Sequence, residues 1–229
     1  MPGAWEIIEE RRNRILVAVI TPPDLKVTLA WARHFNALAL PPGSQTMQAR
    51  GFNYDANRNL CLKGMLQGGF GWLMWVDTDV HVPRDAVMRL LASGRDLIGG
   101  VYFRKEPPYL SVASVAQFDA SGIFVHGKLP EHQPGDVVPV DFLGSGCTLI
   151  SRRCVEDMFA RFPRPYQWAL DVAPVMDHEG KPLPGYSEDF IFSVRAREIG
   201  YQPYLHTGVV CQHETLAAVG PRGLELIRE

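Results

Sequence analysis

Two aspartates one residue apart, Asp77 and Asp79, sit within the stretch Leu-Met-Trp-Val-Asp-Thr-Asp-Val-His-Val-Pro that runs from Leu73 to Pro83. The residues ahead of them are all apolar, as in a strand buried on both faces, so two mutually repelling charges stand where a buried element emerges. Such a pair calls for a cation, a shared proton or a phosphate. In extended backbone, residues i and i+2 point the same way, so the spacing predicts that both carboxylates face one ligand. Hard oxygens suit magnesium or manganese, which keep waters and take further ligands from substrate phosphates; the pair therefore predicts a divalent ion bridging to a diphosphate. The structural alternative is that both aspartates cap the turn into a helix beginning near Pro83.

Other residues offer chemistry that such a site would use. Glu188 and Asp189 follow Ser187 at the start of a helical pattern, where either carboxylate is placed to act as a general base. Acidic residues behind a serine cap also stabilise any helix, and the same dipole would lower a carboxylate's pKa and weaken it as a base. His213, in Cys-Gln-His-Glu at the end of the last apolar run, is a candidate metal ligand, with His81 a rival two residues beyond Asp79 and His206 a weaker one. Arg104 and Lys105 are cations for a phosphate or simply a solvated cluster. Gly144 to Cys147, Gly-Ser-Gly-Cys, would let backbone, at Gly146 in particular, approach a ligand closely, or would form a bend in a strand. Tyr166 and Trp168 would stack on a ligand ring or anchor their own loop.

These residues need a scaffold, and the pattern supplies one. Arg14 to Ile20 is a β-branched run halted at Thr21-Pro22-Pro23, and Asp24 to Leu40 has helical spacing with Asp24 as the expected N-cap. A short strand at Ser44 to Gly51, a helix from Tyr54 to Gly68-Gly69, the strand Trp72 to Val76, a helix from Pro83 to Gly94 and a strand from Asp96 follow. Strand and helix alternate through the first hundred residues, which predicts a parallel α/β sheet. In such sheets ligands bind outside the carboxyl ends of the strands, where Asp77 and Asp79 leave theirs. The second half reads as a hairpin turning at Asp119 to Gly122, one or two strands through Asp136 to Ser151, and a short helix. A proline-rich loop from Pro163 to Pro184 follows, then the helix after Ser187, a last strand and a frayed tail.

The chain has 229 residues, 46% hydrophobic and 21% charged, enough for one large domain, with no linker that divides it. A formal net charge of -2 supplies no basic field for nucleic acid. Four cysteines without paired spacing predict buried, reduced thiols. Neither a signal peptide nor an apolar run long enough for a bilayer is read, which predicts a cytoplasmic protein without a transmembrane segment.

From about Arg14 to Glu214 the order of these pieces resembles nucleotide-sugar-dependent glycosyltransferases of the GT-A fold, family-2-like: the first strand, a helix pair, Val-Asp-Thr-Asp-Val, Phe142-Leu-Gly-Ser-Gly-Cys, Ser-Glu-Asp and Cys-Gln-His-Glu. The resemblance implies an α/β/α sandwich, mostly parallel, with a smaller antiparallel part. Residues from about 14 to 103 would bind a nucleotide-diphosphate sugar and residues from about 104 to 214 a carbohydrate or other hydroxyl acceptor. By motif, Asp77 would lie near the ribose or the metal, Asp79 would ligate manganese or magnesium, and His213 would add a ligand. Thr21 and Pro22 would line the nucleoside pocket, Arg58 would face the nucleotide, and one of Glu188 and Asp189 would be the base of an inverting transfer from a UDP- or GDP-sugar. Two other classes fit parts of the pattern. A haloacid-dehalogenase-like phosphatase would use Asp77 as nucleophile and Asp79 as acid, although that nucleophile ends the first strand of its domain. A GT-A-like domain that binds nucleotide sugar without turnover is the other.

Overall fold

The computed structural model describes residues 13–21, 23–24, 26–51, 53–118, 124–168, 187–215, 217–220 and 223–226. The apolar run that opens the chain is strand β1 (Ile15–Thr21), buried along its whole length. Its side chains alternate between two cores. Leu16, Ala18 and Ile20 pack on one face of the sheet, Ile15, Val17 and Val19 on the other. Strands β2 (Gln45–Arg50) and β3 (Trp72–Val76) lie parallel to β1 on either side.

Helix α1 (Leu29–Asn36) sends Trp31 into one core, where α3 (Ala86–Ala92) adds Val87 and Leu90. On the other face α2 (Tyr54–Gln67) contributes Leu62 and Met65. Two later helices join it there: α4 (Arg152–Arg161) through Cys154 and Met158, and α5 (Glu188–Glu198) through Phe192 and Ala196. The result is the α/β/α sandwich that the resemblance implies.

The sheet departs from a simple parallel array. Its seven strands run in the order β2-β1-β3-β9-β5-β10-β8, where β5 is Leu97–Val101, β8 Val137–Pro139, β9 Cys147–Ser151 and β10 Tyr204–Val210. β9 inserts between β3 and β5, antiparallel to both, and β8 closes the edge antiparallel to β10; the other five strands run one way. Two small ladders stand outside the sheet. β4 (Val80–His81) pairs with β11 (Gln212–His213), and β6 (Val115–Phe118) with β7 (Phe124–Gly127) in the expected hairpin, whose turn lies outside the described residues. The tail read as frayed forms a further hairpin, β12 (Ala217–Gly220) with β13 (Gly223–Leu226).

Asp24 is not the cap of α1. Thr28 is, its hydroxyl accepting from Trp31 N at 3.0 Å, so the helix begins four residues later than its pattern suggests. All four cysteines are buried and free. Among the described residues no helix is long and apolar enough to cross a membrane.

Candidate active site

The chain leaves β3 at Asp77 and turns at once, with Val80 N donating to Asp77 O at 3.1 Å. This turn overturns the expectation that Asp77 and Asp79 share one extended face. Asp77 directs Oδ1 toward Arg58 Nη2 at 3.4 Å, while Asp79 Oδ2 accepts from Lys105 Nζ at 2.6 Å and lies 3.4 Å from His213 Nε2. The backbone of the turn is fastened on three sides. Asp77 O accepts from Trp31 Nε1 at 2.8 Å, Asp77 N donates to Gly146 O at 3.2 Å, and Glu214 N donates to Asp79 O at 2.7 Å.

Asp79 and His213 meet because β4 pairs with β11, setting His213 opposite Val80. His213 Nδ1 donates to Phe103 O at 2.7 Å, which fixes the tautomer and leaves Nε2 toward Asp79. Burial alone would lower the His213 pKa, but the bond to Asp79 outweighs it and the imidazole is held above its ordinary value. Burial likewise works against the Asp79 carboxylate, and the hydrogen bonds from His213 and Lys105 overcome it, bringing its pKa down to about 2. Asp77 behaves oppositely. Burial raises its pKa, the Asp79 and Asp189 charges add to the rise, and Arg58 only partly offsets them.

Arg58 stands beneath the site on α2. Its Nε donates to Glu188 Oε1 at 2.9 Å, with the two side chains 5% and 6% exposed. The guanidinium also lies 4.9 Å from the Trp75 ring centroid and 5.7 Å from that of Tyr166, and its Nη1 is buried without a hydrogen-bond partner among the described residues. Burial would lower the Arg58 pKa, yet the Asp77 and Glu188 charges raise it further still. Glu188 is thus the buried counter-ion of Arg58, its own pKa raised chiefly by burial.

Asp189, one residue on, is half-buried and held differently. Its Oδ1 accepts from Phe190 N at 2.9 Å and from the Ser187 hydroxyl, and its Oδ2 accepts from Ser145 N at 3.3 Å. Ser187 therefore does not cap α5 through its side chain. The adjoining glycines are explained by packing within the fold. A Cβ on Gly144 would stand 2.1 Å from Tyr102 Oη, and one on Gly146 2.9 Å from both Tyr102 Cζ and Val80 Cγ2. Gly146 is buried, and its N–H donates to Tyr102 Oη at 3.0 Å, so its close approach is to Tyr102.

The remaining predicted residues fall in several places. Thr21, at the end of β1, is buried, and its hydroxyl accepts from Gln48 Nε2 at 3.0 Å. Pro22 lies outside the described residues. His81 turns to Glu214 Oε1 and stacks on His34 at 4.7 Å, away from Asp79, and Glu214 also receives the Thr28 hydroxyl. His206 bonds Gly208 N at 3.2 Å on β10. Tyr166 is core, stacked on Phe192 at 4.3 Å, its backbone bracketed by the Asn59 amide; Trp168 is half-buried two residues further on. Sequence reasoning missed Tyr54, Tyr102 and Glu214 and left Lys105 between a phosphate-binding cation and a solvated one. Tyr54 feels Asp77 and Asp79, and its pKa is raised mainly by burial and then by those charges.

An imidazole nitrogen with a backbone-fixed tautomer and an ionised carboxylate are donor types that a divalent cation such as manganese takes. Asp79 and His213 would be its ligands, whereas Asp77 is drawn off by Arg58. Accordingly no group of three or more His, Cys, Asp or Glu among the described residues is gathered to hold a metal.

No protein-family model and no curated protein matches the sequence. Solved structures are similar to it. These include A197 from STIV, with a TM-score of 0.57 and 16% identity over 94% of this chain and 95% of that one. GalNAc-T7, crystallised with UDP, GalNAc and Mn2+, has a TM-score of 0.51 and 9% identity over 87% of this chain and 43% of that one. TarS from S. aureus has a TM-score of 0.50 and 13% identity over 87% of this chain and 36% of that one. The chain therefore spans less than half the length of the latter two. At these identities the likeness concerns the fold, which is of GT-A type, as the order of sequence pieces implied.

Proposed function

We propose that this chain is a glycosyltransferase that moves a sugar from a UDP- or GDP-sugar to an acceptor hydroxyl with inversion, as one GT-A domain. The observation that carries the reading is the meeting of Asp79, His213, Lys105, Asp77 and Arg58 at the carboxyl edge of the sheet, with Asp189 facing them from α5. Transfer builds oxocarbenium-like charge at the anomeric carbon while negative charge grows on the departing diphosphate. Asp79 and His213 would hold manganese or magnesium, which when bound neutralises that leaving group. Lys105 adds positive charge at the same edge. Asp189 is the base that takes the acceptor proton, since Glu188 is committed to Arg58, and the N–H of Ser145 and the Ser187 hydroxyl orient its carboxylate. Thr21 and Pro22 would border the nucleoside, and Trp168 the acceptor.

Thermal unfolding with UDP or GDP, each with and without manganese, tests the reading, because a ligand at about 100 times its Kd stabilises by roughly 2.7 kcal/mol. The expected result is a manganese-dependent rise that Asp79→Ala abolishes, together with slow hydrolysis of a matching nucleotide sugar. Phosphate release from an aryl phosphate would make it a phosphatase instead. A nucleotide-induced rise without any hydrolysis would make it a binding domain.

A further inference from the structure

Lys105 occupies the Asp79 oxygen that a metal shared with His213 would use. Its Nζ is 2.6 Å from Asp79 Oδ2, the same oxygen that faces His213 Nε2. It projects from a loop whose base is tied down. Phe103 bridges Ser111, Arg104 N donates to Leu110 O at 2.9 Å, and Phe103 O receives His213 Nδ1. One loop thus orients the imidazole through its backbone and blocks the carboxylate through its side chain. The Lys105 side chain is 40% exposed and ends in a compact ammonium on a flexible four-carbon stem, free to leave Asp79 while the loop base stays in place.

On the glycosyltransferase reading above, we infer that Lys105 is an exchangeable cation: it holds Asp79 when the site is empty and passes to the donor's diphosphate when a divalent ion takes that carboxylate. The exchange follows from charge. An ammonium and a divalent cation repel each other at one oxygen, so metal binding expels Lys105 from Asp79, and the diphosphate arriving at the same edge offers it new acceptors. Metal and nucleotide binding are thereby coupled through one side chain, the donor rewarding the displacement that the metal alone must impose.

The test compares the full chain with Lys105→Met and Lys105→Arg, titrating Mn2+ without nucleotide by paramagnetic resonance of the free ion, and UDP and GDP at saturating Mn2+ by calorimetry. For Lys105→Met the Mn2+ Kd is expected to fall roughly three- to tenfold, the scale of a half-exposed ion pair together with cation repulsion. Its nucleotide Kd is expected to rise about tenfold, the scale of a charge-assisted contact to phosphate. Lys105→Arg keeps the charge and should hold the nucleotide Kd within about threefold of wild type. Unchanged or weaker Mn2+ binding by Lys105→Met overturns the assignment, as does equal nucleotide loss in both variants, which would make the effect one of loop shape. Wild-type protein that binds neither nucleotide overturns the glycosyltransferase reading and this inference together. Wild-type binding with no change on substitution overturns the inference alone.

Discussion

Arg58 and Glu188, 130 residues apart in the chain, form a buried ion pair at 2.9 Å that joins α2 to the first turn of α5 directly under Asp77. The two helices that carry the candidate nucleotide contact and the candidate base are therefore locked to each other by charge as well as by packing. Removing one partner leaves the other charged and buried. Arg58→Ala should destabilise the protein by about 3 to 5 kcal/mol. In a chain of this size that lowers Tm on the order of 10 °C. Thermal unfolding monitored by circular dichroism checks this, and a variant within about 2 °C of wild type would mean that Glu188 finds solvent or another partner.

The same pair separates the two acidic residues by function. Asp189→Asn keeps the shape and, through its remaining oxygen, the contact to Phe190 N, but it replaces the oxygen that accepts from Ser145 N with an amide nitrogen and removes the proton acceptor, so turnover should fall about 100- to 10,000-fold. Nucleotide affinity should stay near wild type, because Asp189 contacts no donor-binding residue named above other than through space. Steady-state kinetics alongside calorimetry decides it. An active Asp189→Asn variant would remove this residue from the mechanism.

Much of this arrangement was legible in the sequence. The β-branched run ending at Thr21 and the apolar run ending at Asp77 are buried strands, and the helices behind Asn53 and Ser187 lie where their periodicity put them. What escaped is what period cannot encode. β9 reads as a buried strand, but nothing in its apolar pattern says that it pairs antiparallel with a strand some 75 residues earlier. β4 and β11 are two residues each, too short to register as a pattern, yet they bring His213 to Asp79. The turn after Asp77 was legible only as an alternative to a shared extended face, because Asp-Thr-Asp carries no glycine or proline to decide between them. The pairing of Lys105 with Asp79 escaped because that partner lies 26 residues upstream.

Gly144 offers a test of packing at the same edge. With a Cβ only 2.1 Å from Tyr102 Oη, Gly144→Ala should cost about 1 to 3 kcal/mol by overpacking. Tyr102→Phe alone should cost about 1 to 3 kcal/mol, since the buried Gly146 N–H loses its acceptor. In the double variant the absent hydroxyl relieves part of the clash, although Val112 Cγ1 still crowds the new methyl at 2.5 Å. Urea unfolding of the cycle should therefore give a total smaller than the sum of the singles. Strict additivity would show that the backbone near Gly144 moves rather than the ring resisting it.

His206 supplies the pH dependence. Its Nδ1 accepts from Gly208 N at 3.2 Å, a bond available only to the unprotonated nitrogen. Burial, then the nearby Arg89, lowers its pKa below the ordinary 6.5, with Asp85 opposing. A histidine with a depressed folded-state pKa binds fewer protons folded than unfolded, so its contribution is full above pH 6.5 and is lost as pH falls through the lower folded value. Wild type should accordingly lose stability relative to His206→Gln as pH is taken from about 7.5 to about 5.5 across that interval. Urea unfolding of both proteins at each pH measures the difference. A gap that stays constant would show that the imidazole has the same pKa folded and unfolded, and one that widens in favour of wild type on acidification would show that the folded protein raises it.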